Sequence, residues 1–129
     1  MTVVVAHQAS EISAKVLAEA VREAAFREVE LVILNVTGDL DMDKNQALEV
    51  GIGDVVDEVK GDHEISWRVH VAPLAHDVAH TVLSTAADLG AELLIIGARQ
   101  RSPVGKALMG SIAQDLILES PIPVLVVKR

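Results

Sequence analysis

Ala86-Ala87-Asp88-Leu89-Gly90-Ala91-Glu92-Leu93-Leu94-Ile95-Ile96-Gly97 is the stretch whose reading decides the fold. Its first part closes a helical stripe of Val78, Val82, Leu83, Ala86 and Leu89. Gly90 then stands where helices commonly end on a left-handed residue. Residues 93–97 follow as a short, continuously apolar run, the pattern of a strand covered on both faces.

The same alternation runs through the chain. Residues 2–6, 31–36, 65–71 and 124–127 also read as strands. Ile65-Ser66-Trp67-Arg68-Val69-His70-Val71 alternates apolar and polar, so it belongs half exposed near an edge. Ile12, Val16, Ala20 and Ala24, with Leu17 and Val21, form a first helical stripe behind Ser10, a candidate cap. A second stripe, Leu48, Ile52, Val55, Val56 and Val59, is weakened by Gly51 and Gly53. Ser111-Ile112-Ala113-Gln114 has the spacing of a capping box before Leu116 and Ile117, and Pro121 stops that last helix. The order is β-α-β-α-β-α-β-α-β. It calls for an α/β fold with one open parallel sheet, helices on both faces and right-handed crossovers. The 129 residues hold one domain and no linker or repeat.

Composition excludes several functions. One Phe, one Trp and no Tyr leave almost no platforms for stacking bases, and the net charge of −8 repels a phosphate backbone. Absence of cysteine excludes disulfides, thiolate metal sites and a cysteine nucleophile. No apolar run reaches the ~20 residues that span a bilayer, and the amino terminus lacks the pattern of a signal peptide. A cytoplasmic protein is the expectation. Residues 39–64 carry nine acids against two bases, so the rest of the chain is almost neutral. A local basic site is therefore affordable elsewhere, while the acidic run itself reads as a solvated face.

Such a basic site lies between the fourth strand and the last helix. The loop Gly97-Ala98-Arg99-Gln100-Arg101-Ser102-Pro103-Val104-Gly105-Lys106-Ala107-Leu108-Met109-Gly110-Ser111 contains three cations and no acid. Glycines let backbone approach an anion, and the free N–H groups of the following helix favour negative charge. The loop is not a Walker loop. Seven residues separate Gly97 from Gly105, and Ala107 follows Lys106. In parallel α/β sheets ligands sit beyond the carboxyl ends of the strands, where this loop begins.

Gly97 and the spaced Gly110-Ser111 pair resemble the G-x-x-G, nine residues, G-S/T signature of the universal stress proteins. The resemblance extends to Val4-Val5-Ala6, to residues 86–97 and to Ser120-Pro121-Ile122-Pro123-Val124-Leu125-Val126-Val127, and so covers the whole chain. It implies strand order 3-2-1-4-5, with the loops after strands 1 and 4 side by side. It also implies, in part of the family, ATP with Mg held there without a catalytic base. The nucleotide-binding residues that follow are Ala6, Gln8, Val36, Gly97, Gln100, Arg101, Gly110, Ser111 and Ile112, with adenine near Val36, the sugar near Gln8 and Gly97, and phosphates near Arg101 and residues 110–112. Four positions depart from the family pattern. Gln100 replaces a motif glycine, Gln8 an acid that meets the sugar, Pro103 a loop glycine and Asn35 a frequent His. Arg101 offers a charged contact in place of a lost backbone one.

Each sharp reading has a bland counterpart. Ser111 serves as a helix cap whether or not phosphate binds, and Gly97 serves the turn leaving its strand. His76-Asp77-Val78-Ala79-His80 places two imidazoles four apart, yet lacks the Glu and third ligand of a zincin, so it reads as an exposed pair in a helix's first turn. His7 and Ser10 lack a carboxylate partner, which leaves no catalytic residues and no metal site. In the implied order the last strand is an apolar edge, protected only at its start by Pro121 and Pro123. Pairing Val124-Leu125-Val126-Val127 with a second copy gives a homodimer. Two functions follow from these readings. One is a non-enzymatic, stress-linked nucleotide-binding module; the other is a nucleotide-free homodimer that acts through an unknown protein partner.

Overall fold

The computed structural model describes residues 1–38, 41–98 and 110–129. β1 (Thr2–Ala6), β2 (Glu30–Thr37), β3 (Trp67–Pro73), β4 (Ala91–Ala98) and β5 (Val124–Lys128) form one sheet in the order β3-β2-β1-β4-β5. Every neighbouring pair is parallel. The order implied by the family resemblance is thus the observed one, with the alternating β3 at an edge.

Alternate residues of each central strand serve two apolar layers, as period-two geometry requires. Val3, Val5, Leu31, Ile33, Leu93 and Ile95 face α1 (Ser13–Arg27) and α2 (Met42–Val59). Val4, Val32, Leu34, Leu94 and Ile96 face α3 (Val78–Asp88) and α4 (Ser111–Glu119). The crossover from β3 to β4 moves the chain from one face to the other. It leaves β1 and β4 as neighbours whose following helices, α1 and α4, lie on opposite faces, and that is the switch point.

Several boundaries differ from the sequence reading for tertiary reasons. β4 starts at Ala91, two residues early, because the chain joins the sheet as soon as the Thr2 N–H bonds the Gly90 carbonyl (3.2 Å). Gly90, at φ +68, ends α3 as its place after the stripe requires. β3 runs to Pro73 by pairing with Thr37. α2 continues through both glycines, and at Gly53 an added Cβ would lie 3.3 Å from Trp67. The glycine thus gives β3's indole room to pack beneath the helix.

Ser10 does not cap α1, whose N-cap is Ile12. Instead its hydroxyl accepts from the Ile12 N–H (3.3 Å), while its carbonyl accepts from the Ser13 N–H (3.2 Å) and hydroxyl (2.8 Å). This polar turn delays the helix by a residue or two and leaves Ser10 and Ser13 beside the end of β1.

Candidate functional site

Three segments converge beyond the carboxyl ends of β1 and β4. In register, Val5 lies beside Ile33 on one flank and Ile95 on the other. The turn after β1 therefore starts between β2 and β4. His7 continues the ladder by one bond, its N–H donating to the Leu34 carbonyl (2.8 Å), before the chain leaves for α1.

A cavity of about 670 Å³ opens at this point. Its floor is the strand ends Ala6, Leu34, Asn35, Val36, Ile96 and Gly97. One wall is the turn after β1 with the start of α1, another is Val78 and Val82 of α3, and the last is the start of α4. The volume lies in the range of small-molecule and cofactor sites, ~300–1,000 Å³. Seven sequence-derived residues line it: Ala6, Gln8, Val36, Gly97, Gly110, Ser111 and Ile112. Gln100 and Arg101 lie outside the described residues.

Both ends of the loop after β4 require corrected reasons. Gly97 is inside β4, not in the turn leaving it. A Cβ there would stand 2.9 Å from Val16 Cγ2 and 3.2 Å from Ile12 Cδ1. Its missing side chain lets α1 lie directly on the strand, which carries the turn after β1 over the end of β4.

At the other end, Ser111 is the first residue of α4 and Gly110 is its N-cap, with no side-chain cap bond. The Gln114 N–H bonds the Gly110 carbonyl (3.1 Å), so the capping box does not form. The N–H groups of Ser111, Ile112 and Ala113 have no partner within the helix and point to the cavity end of it. Gly110 has φ −64, and a Cβ there would meet nothing within 4 Å among the described atoms. Among the described residues no side chain caps this helix start, and the positive end of its dipole lies at the cavity.

The remaining lining is neutral. Gln8 is exposed at the mouth, and the described lining contains no Asp, Glu, Lys or Arg. Its one titratable side chain is His7, whose burial holds its pKa below the usual imidazole range. No group of three or more His, Cys, Asp or Glu that could hold a metal is present among the described residues. Ile12, Ser13, Val16, Val78 and Val82 also line the cavity, and the sequence reading did not select them. In sequence they are ordinary stripe or flank residues. Only their places at the starts of α1 and α3, beside the switch point, mark them.

His76 and His80 lie off this cavity. Asp77, not His76, begins the helix: its carboxylate accepts from the His80 N–H (2.7 Å) as the N-cap of α3. His76 precedes it at φ +64, so the pair does not share a first helical turn.

This fold and its switch-point cavity define an open parallel α/β domain, and comparison with known proteins gives the family. The model of the Universal stress protein family matches residues 1–128, and the chain belongs to that family. A universal stress protein of Mycolicibacterium smegmatis is 35% identical over 127 residues, 98% of this chain and 96% of that protein. Among solved structures, a universal stress protein from Archaeoglobus fulgidus superposes with TM-score 0.81 at 25% identity, covering 98% of this chain and 97% of that one. A universal stress protein in complex with cAMP gives TM-score 0.77 at 21% identity, covering 99% and 96%. One from Archaeoglobus fulgidus in complex with dAMP gives 0.76 at 21%, covering 98% and 96%. No helix among the described residues is long and apolar enough to cross a membrane.

Proposed function

We propose that the cavity between β1 and β4 binds an adenine nucleotide, ATP or a close relative, and that the bound nucleotide biases a homodimer's surface toward a protein partner without being turned over. The observation that carries this reading is the convergence of three separate segments on one cavity fronted by the first N–H groups of α4, which no described side chain caps. These donors suit a phosphate, and the apolar floor at Val36 and wall at Val78 and Val82 suit a base. That similar folds occur as cAMP and dAMP complexes supports the class of ligand.

The lining also argues against hydrolysis. No carboxylate stands among the described lining residues to act as a general base or to ligate a cation directly. Mg would be held through phosphate oxygens and its own waters, where it neutralises phosphate charge. β5 at the sheet edge and the exposed Leu118 and Ile117 of α4 support the dimer.

Mass spectrometry of small molecules released from the purified protein is the direct test, with an adenine nucleotide as the expected product. An empty protein that also shows no thermal shift at millimolar ATP with Mg defeats the reading. The neutral lining favours the second reading, a nucleotide-free dimer, and that outcome would leave it standing. Sedimentation is expected to give a dimer at micromolar concentration, and a monomer there counts against both.

A further inference from the structure

We propose that His76 and His80 form a two-imidazole site for a borderline divalent transition metal ion, such as Zn²⁺ or Cu²⁺, separate from the nucleotide cavity. The two rings lie with centroids 4.8 Å apart and planes at 79°. Two imidazole nitrogens on one ion, each ~2.0–2.1 Å from it, put ring centroids roughly 4.5 Å apart at square-planar cis positions and about 5.2 Å at tetrahedral ones. The observed spacing falls between these limits, and turning the rings so that one nitrogen of each faces a common point would complete the pair.

The backbone that sets this spacing is held firmly. Thr81, buried at 3% exposure, accepts from the Ala75 N–H (2.9 Å). Its hydroxyl proton lies within reach of the Ala75 (2.8 Å) and Asp77 (2.9 Å) carbonyls. The Leu74 N–H bonds the Thr37 carbonyl (2.9 Å) at the end of the sheet. Between these anchors His76 adopts φ +64, a left-handed conformation that L side chains avoid. That conformation brings its ring beside His80.

The site faces away from the cavity. Val78 lines the cavity, and two residues turn a helix by roughly 200°, so His80 points to the opposite side and is exposed. No third His, Cys, Asp or Glu joins the pair among the described residues. The other coordination positions fall to water, which makes the ion exchangeable and the affinity modest.

The test uses the full chain stripped of metal with a chelator. Substoichiometric Cu²⁺ is added while NMR follows the imidazole signals of all five histidines. The expected result is paramagnetic broadening first at His76 and His80. Calorimetry with Zn²⁺ is expected to show binding weakened at least about tenfold in His76→Asn and in His80→Asn. Asn accepts the left-handed backbone at position 76, and at the exposed helical position 80 it removes no buried contact, so both variants are expected to keep the fold. Broadening that starts at His7, His63, His70 or the amino terminus overturns the proposal. So do unchanged Zn²⁺ affinity in both variants, or no binding at millimolar metal.

Discussion

The two glycines that bracket the loop after β4 look equivalent in sequence and do opposite things. Gly97 is packed: α1 lies where its side chain would be. Gly110 is not packed in this way: among the described atoms none lies within 4 Å of the position of its missing Cβ, and its φ of −64 suits any residue. One wall of the cavity is thus made by close packing of helix on strand. The other is made by a helix start that no described side chain caps. A motif glycine therefore marks either a steric demand of the fold or a path for a ligand, and only its surroundings decide which.

Valine at each position should separate the roles most sharply. Gly97→Val forces Val16 and Ile12 away from β4, at the upper end of the overpacking range, about 3 kcal/mol. Chemical denaturation without nucleotide should show the loss, and an unchanged midpoint would dissolve the contrast. Gly110→Val should cost no more than the weaker cap preference, about 1 kcal/mol. It should also erase the ligand-dependent stabilisation, ~2.7 kcal/mol at a hundredfold excess of ATP over its Kd. A thermal shift that survives in Gly110→Val would mean that phosphate does not approach through the open helix start.

Helix caps extend the comparison at lower amplitude. Asp77 caps α3 through its carboxylate, so Asp77→Ala should lower stability by about 1 kcal/mol. Ser111 makes no cap bond, so Ser111→Ala should stay within about 0.5 kcal/mol, as measured by urea unfolding. Equal losses would restore the capping box that the coordinates replace with Gly110.

The smallest effect belongs to His7 on the packed side. Burial lowers its pKa in the folded state, so the unfolded chain binds more protons as pH drops below the ordinary imidazole value. The neutral ring's contribution is complete above that value and is lost as pH falls through it toward the lowered folded one. His7→Gln should flatten this acid-side slope in a pH series of unfolding midpoints, and an unaltered slope would place the imidazole in water.

Most of the architecture was legible in the sequence. Apolar runs at 31–36 and 93–97 separated by helical stripes state a doubly covered parallel sheet, and β1 has the bounds its Val-rich run indicates. The strand order came from the family resemblance, because periodicity says nothing about which strands are neighbours. Where elements start was less legible. Ser10 and Ser111 have the chemistry of caps, yet helix starts also depend on where the preceding strand releases the chain, and both helices begin beside their serine in another register. The strand-end residues of the cavity could be chosen in advance because strand ends and loop glycines are local signals. Ile12, Val16, Val78 and Val82 could not, since a stripe pattern identifies a buried face but not where along it the packing opens into a void.

That void draws its walls from both sides of the sheet, α1 on one and α3 and α4 on the other. Among the described residues the two layers otherwise meet chiefly through the strands between them. A molecule lodged there would rivet the layers together, so that loosening either helix pair would also mean releasing the guest. Amide hydrogen exchange in the first turns of α1 and α4 should then slow in concert, which would make the occupied domain a single mechanical unit where the empty one has two halves.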